Sequence, residues 1–168
     1  MFNCAHLHGR KMQQTVNAIP AWSKVIREYK VRRTVEIGTG AGAFSVNLLC
    51  EMLEAGGDFQ TWDIRPLRNT GPVAKMLKLA DYFHQGDVFA NESPIKKFIG
   101  QPGTSVVFCD GGNKRKELAT FQPYLKKGDI IAVHDWGWAV SWEDRRKMPL
   151  QKLPECMIDP LTAFFVRV

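Results

Sequence analysis

The period of the apolar positions changes repeatedly along the chain, and each change marks an element. Met12, Val16, Ile19, Trp22, Val25, Ile26 and Tyr29 recur every three or four residues, which predicts helix over residues 11–30, restarted or kinked at Pro20. Thr34–Ile37 reads as a strand. Val46, Leu48, Leu49, Met52 and Leu53 then form the core face of a helix that begins at Phe44 and stops at Gly56-Gly57. A second strand is predicted over Phe59–Ile64, helix over residues 72–80, a short strand at Tyr82–His84 and helix over Ile95–Ile99. Val106, Val107 and Phe108 are consecutive apolar residues, as in a strand buried on both faces, and Asp129–Val133 repeats that pattern after a helix from Glu117 to Leu125. Beyond Trp136 only Cys156–Ile158 and Ala163–Val168 read as strands, arranged as an antiparallel hairpin at a sheet edge.

Strand and helix alternate about five times, which predicts an α/β fold around a parallel sheet with right-handed crossovers. One domain is expected over residues 1–168, with an N-terminal helical segment over 1–30 and an α/β core over 31–168.

Composition narrows the partners. Apolar content of 45% and charge of 24% are ordinary for a globular protein. No run approaches the roughly 18 apolar residues of a membrane span, and Met1 to Lys11 lacks a signal-peptide core, so no membrane partner and a cytoplasmic location are expected. The net charge of +6 favours anionic partners. It is compatible with nucleic acid, but no aromatic-interleaved basic motif supports that. The cysteines at 4, 50, 109 and 156 form no CxxC pair and read as free thiols, while Cys4, His6 and His8 are scattered over a terminus rather than grouped as metal ligands.

The strand ends carry the chemistry. After Thr34–Ile37, three glycines alternate with small residues in Gly38-Thr39-Gly40-Ala41-Gly42, between a strand and a helix start. Glycine permits sharp turns and close ligand approach, and a helix N-terminus offers unpaired N–H groups. Each following strand also ends in an acid: Asp63, Asp87, Asp110, and Asp135 after His134. In open α/β sheets, ligands bind at these carboxyl ends. Asp63, 25 residues after the first glycine, suits a ribose held through both hydroxyls, which does not separate NAD from S-adenosylmethionine.

Glu36-Ile37-Gly38-Thr39-Gly40-Ala41-Gly42 resembles the E-x-G-x-G-x-G signature of class I S-adenosylmethionine-dependent methyltransferases. Asp110-Gly111-Gly112, followed by Leu125 to Asp135, resembles a D-G-x-H … L-x-x-G-G-x-x-x-x-x-D stretch of the branch that contains catechol-O-methyltransferase-like and cephalosporin-hydroxylase-like enzymes. The likeness covers about residues 30–136. It implies a Rossmann-like, doubly wound, mostly parallel seven-stranded sheet with an antiparallel C-terminal strand. It also implies S-adenosylmethionine as cofactor, with Glu36, Gly38, Thr39, Gly40 and Gly42 on the methionine side, Asp63 and Ile64 at the ribose, Asp87 and Val88 at adenine, and Asp110 beside the methionine ammonium. In many members, acids matching Asp110 and Asp135 bind a divalent cation, which here would also involve His134. Oxygen ligands suit Mg²⁺ or Ca²⁺, and His134 would admit Mn²⁺. Two positions depart from the family: Asn113 stands where a Lys or His is usual, with Lys114 next, and Trp136 stands where Asn often follows the second acid.

The implied reaction is methyl transfer to the hydroxyl oxygen of a small-molecule or sugar acceptor, anionic or aromatic. A cation would activate the acceptor, and without one His134 is the expected base with Lys114 behind it, next to Asp110. Trp136, Trp138 and Trp142 lie beside the expected acceptor site, and Trp136 is expected to form its wall. The short C-terminal part leaves that site open, completed by the N-terminal helices, or supplied by the second subunit of a homodimer. Two other readings compete: an NAD(P)-binding oxidoreductase, and a catalytically altered S-adenosylmethionine-binding domain that needs a partner.

Overall fold

The computed structural model describes residues 6–7, 10–69, 71–154 and 158–168. Cys4, His8 and Cys156 lie outside the described residues. Seven strands form one sheet: β1 (Val31–Ile37), β2 (Asp58–Asp63), β3 (Phe83–Gln85), β4 (Thr104–Cys109), β5 (Ile130–Val133), β6 (Leu150–Lys152) and β7 (Ala163–Arg167), in the order β3-β2-β1-β4-β5-β7-β6. The first five are parallel, and β7 runs antiparallel to both β5 and β6. The strand order reverses between β1 and β4, so the turns after these two strands flank the natural ligand crevice.

The expected Rossmann-like sheet is therefore present, and sequence pattern explains why. Val106, Val107 and Phe108 are fully buried in succession, as are Ile130 to Val133, because helices cover both faces. Helix α1 (Ala18–Glu28) packs on α2 (Ala43–Glu54), and both contact β1. Trp22 of α1 is fully buried, with its ring 4.7 Å from Phe108, 5.1 Å from Phe164 and 6.2 Å from Phe44. One side chain thus joins α1, α2, β4 and β7, and truncating it would cost about 3–5 kcal/mol. The short helices α3 (Pro72–Met76) and α4 (Leu79–Tyr82) follow β2, α5 (Glu92–Ile99) lies on β1 and β4, α6 (Lys114–Phe121) lies on β4 and β5, and α7 (Trp142–Arg145) follows β5.

Three expectations shift. Residues 12–17 are turns rather than helix, because side-chain contacts to distant segments replace the helical ladder there. Pro20 then falls in the first turn of α1, where its missing N–H is tolerated. Helix α6 begins at Lys114, three residues earlier than predicted, because the Asn113 side chain accepts a hydrogen bond from Lys116 N at 3.1 Å. Finally, the strand paired with Ala163–Arg167 is Leu150–Lys152. Of the segment predicted instead, residues 155–157 lie outside the described residues and Ile158 is in a turn. Among the described residues, no helix is long and apolar enough to cross a membrane.

Candidate functional site

The chain leaves β1 through Gly38, Gly40 and Gly42, with φ of 97°, 54° and 71°. Each is in the left-handed region that disfavours a side chain. A Cβ on Gly38 would lie 2.4 Å from the carbonyl oxygen of Asp110, so the turns after β1 and β4 touch backbone to backbone. Gly42 caps α2, and a Cβ there would lie 2.7 Å from Cβ of Asn69. The Asn69 amide donates to the Gly42 carbonyl at 2.9 Å and so fixes the loop after β2 against this turn.

Beneath the glycines lies a buried polar network. Glu36 is 1% exposed and accepts hydrogen bonds from the hydroxyls of Ser45 and Thr61, and Thr61 in turn contacts Thr39 at 2.6 Å. Burial pushes the Glu36 carboxyl up to about 8, against the two hydrogen bonds, which favour ionisation. Glu36, Thr39 and Gly42 surround a water-sized hollow of about 10 Å³ that also touches Gly38 and Asp110.

Beside that hollow opens a cleft of about 440 Å³, within the range of small-molecule sites. Gly38, Gly40, Asp63, Ile64, Asp87, Val88 and Asp110 line it. Seven residues from four different strand ends therefore meet in one cavity. Asp63 accepts from Gly40 N and from Arg65 N, both at 2.9 Å, and each of its oxygens keeps a lone pair for a ligand hydroxyl. Asp87 accepts from Phe89 N at 2.9 Å, which folds the loop that carries Val88.

At the far end of the cleft, Asp110 gathers a second cluster. His134 Nδ1 lies 3.0 Å from Asp110 Oδ1 and 3.4 Å from Asp135 Oδ1. Lys114 Nζ lies 3.1 Å from Asp135 Oδ2, 3.6 Å from Asp110 Oδ1 and donates to the Gly111 carbonyl at 3.0 Å. Asp135 reaches back to this group from a left-handed backbone (φ 55°), a strained state that Asp tolerates better than most residues. Burial lowers the pKa of His134, but its hydrogen bond to Asp110 and the charges of Asp110 and Asp135 outweigh that and raise it. For Lys114 burial again acts downward, and Asp110 and Asp135 again prevail, so its pKa is raised and the side chain is held as an ammonium. His134, Lys114 and Asp135 do not line the cleft and reach it through Asp110. His134 Nε2 is buried without a hydrogen-bond partner.

Sequence reasoning missed several contributors. Gln14, from the turns before α1, donates its amide to Asp110 Oδ2, and Gln13 lines both cavities. The hydroxyl of Thr15 donates to buried Asp159 at 3.1 Å, so residues 13–15 strap the N-terminal segment across to the C-terminal one. Glu117 is buried and accepts from Gly111 N and Asn113 N, each at 3.1 Å, which shapes the turn after β4. Trp62 and Phe89 add aromatic walls to the cleft. Trp136, expected at the pocket wall, packs on Phe165 at 4.9 Å and does not line the cleft, while Trp138 and Trp142 are exposed, with the Arg145 guanidinium over the Trp142 ring.

The donor set does not fit a divalent cation at Asp110, His134 and Asp135. Among the described residues no group of three or more His, Cys, Asp or Glu side chains is arranged to hold one, and the Lys114 ammonium stands between the two acids.

No family profile and no curated protein matches the chain in sequence. Its fold matches solved structures. A Mg-SAM form of CmcI aligns with a TM-score of 0.55 at 18% identity, over 78% of this chain and 57% of that one. The SAH-bound methyltransferase PaMTH1 of Podospora anserina aligns at 0.57 and 14% identity, over 90% and 78%. A Klebsiella pneumoniae protein provisionally assigned as an O-methyltransferase aligns at 0.61 and 14% identity, over 92% and 81%. The chain spans 57–66% of the length of the CmcI structures. At these identities the likeness establishes a shared Rossmann-like fold.

Proposed function

We propose that the chain is an S-adenosylmethionine-dependent methyltransferase acting on the hydroxyl oxygen of a small-molecule or sugar acceptor. The observation that carries this reading is the convergence of Gly38, Asp63, Asp87 and Asp110 on one cleft of about 440 Å³, with His134 behind Asp110 at 3.0 Å. Relatives of the same fold, among them the SAH-bound methyltransferase PaMTH1, support it.

The residues present fit the cofactor by their chemistry. The free lone pairs of Asp63 suit the two ribose hydroxyls. Val88 offers an apolar face beside Asp87, and Trp62 and Phe89 offer aromatic ones, suited to adenine. Glu36, kept neutral by burial, becomes an ionised partner when a cationic ammonium enters the adjoining hollow. When bound, the cofactor supplies an electrophilic methyl group on a sulfonium centre.

His134 serves as the base. Asp110 holds the Nδ1–H and leaves the Nε2 lone pair unpartnered. Nε2 is buried behind the cleft, so taking the acceptor's hydroxyl proton requires the imidazole to swing out towards the cleft once the acceptor binds. Gln14 holds Asp110 from its other oxygen and so fixes the pair. Alignment of acceptor and methyl group then supplies much of the remaining acceleration. No step runs through a divalent cation, because the Asp110–Asp135 donor set does not fit one.

The test is transfer of a labelled methyl group from S-adenosylmethionine to a panel of hydroxylated acceptors. Methylation that disappears in His134→Ala supports the reading. Cofactor binding with no transfer to any acceptor in a broad panel would instead favour a catalytically altered binding domain.

A further inference from the structure

Between Asp110 and Asp135 there are four carboxylate oxygens, and each faces an N–H group. Asp110 Oδ1 faces His134 Nδ1 at 3.0 Å, and Asp110 Oδ2 accepts from Gln14. Asp135 Oδ1 faces His134 Nδ1 at 3.4 Å, and Asp135 Oδ2 faces Lys114 Nζ at 3.1 Å. A divalent ion needs several oxygens turned towards itself, at about 2.0–2.6 Å. Here the oxygens are turned towards donors, and the middle of the group holds a positive charge already.

Lys114 does not reach that place by default. It is the first residue of α6, where the helix dipole disfavours a cation. What holds it is local: the Gly111 carbonyl at 3.0 Å, Asp135 at 3.1 Å and the charge of Asp110 at 3.6 Å. Its ammonium has three N–H donors, two of which these hydrogen bonds use. The contact with Asp110 is longer than a hydrogen bond, so one donor is left for a further oxygen.

We propose that Lys114 is a tethered cation that stands in for a divalent metal, setting an ammonium behind Asp110 at the end of the cleft where the acceptor oxygen would lie and keeping metal ions out of the Asp110–Asp135 site. The acceptor part of this inference rests on the methyltransferase reading, whereas the exclusion of metal does not. A single positive charge held beside the acceptor hydroxyl favours its deprotonated form in the same sense as a metal would, with less charge and no open coordination position. The departure at Asn113, with the lysine one residue later, is what places the ammonium at the start of α6.

Mn²⁺ titration of the full chain, followed by electron paramagnetic resonance and calorimetry, tests this without any activity measurement. The wild type is expected to show no one-to-one Mn²⁺ site below about 1 mM. Lys114→Ala and the bulkier Lys114→Met are expected to gain one, at least about tenfold tighter than any wild-type binding, because two acids lose their internal counter-charge. Adding Asp135→Asn to either variant should abolish the gained site. One-to-one Mn²⁺ binding by the wild type that Asp135→Asn removes would overturn the proposal, and that titration decides the matter even if neither lysine variant folds. Lysine variants that fold, bind SAH normally and still gain no Mn²⁺ would also overturn it. SAH calorimetry on the same samples reports on the methyltransferase reading separately.

Discussion

Asp110 and His134 are each the first residue after a strand, and their side chains meet at 3.0 Å because Cys109 and Val133, just before them, are register partners in parallel strands. The backbone reinforces this, as His134 N donates to the Cys109 carbonyl at 3.1 Å. Sheet register therefore sets the proposed base against its orienting carboxylate.

If His134 is the base, His134→Ala should lower kcat by about 10²–10⁴-fold while leaving SAH affinity nearly unchanged. The working form is the neutral imidazole, and Asp110 and Asp135 raise its pKa above the ordinary 6.5 despite burial. The wild-type rate should consequently climb with pH through a point above 6.5, and Asp110→Asn should move that point down. A kcat that is flat with pH, or largely preserved in His134→Ala, would exclude this role.

Glu36 predicts a pH dependence of stability. Its carboxyl titrates near 8 when folded and near the usual 4.5 when unfolded, so the folded state holds an extra proton between those values. The stability this contributes is complete below pH 4.5 and is lost as pH rises through 8. Glu36→Gln keeps a neutral hydrogen-bonding group, so its melting temperature relative to wild type should improve from pH 5 to pH 8. A pH-independent difference would mean that Glu36 is ionised in the folded protein.

Gly38 has no room for a side chain, given a φ of 97° and the Asp110 carbonyl 2.4 Å from where its Cβ would be. Gly38→Ala should cost about 2–4 kcal/mol, from the left-handed strain plus the forced separation of two backbone turns. Chemical denaturation measures this, and a loss below about 0.5 kcal/mol would contradict the close packing of β1 and β4 turns.

The sheet and cleft were legible because buried parallel strands leave long apolar runs, and an acid after such a run is conspicuous. Gly38, Asp63, Asp87 and Asp110 could thus be placed from sequence. The strap at Gln13 and Gln14 could not, since Met12 and Val16 continue the helical spacing while the chain turns to spend Gln14 on Asp110 and Thr15 on Asp159. Tertiary hydrogen bonds decide there, and periodicity does not see them. The edge strand Leu150–Lys152 was hidden for another reason: three residues with one apolar position, between Pro149 and Pro154, carry no periodic signal. The position of Lys114 likewise follows from where Asn113 starts α6, a boundary that propensity alone locates poorly.

The ribose role of Asp63 has its own test. Asp63→Ala should weaken SAH binding by about 10–100-fold through loss of charge-assisted hydrogen bonds, with little change in melting temperature. Unaltered affinity would move the ribose elsewhere.

The most direct test of the whole account is calorimetric titration of the purified chain with S-adenosylmethionine, SAH and NAD. The predicted result is one-to-one binding of both methionine-derived ligands, weakened together in Asp63→Ala, with NAD much weaker. Tighter binding of NAD than of either would contradict the account and return the cleft to an oxidoreductase.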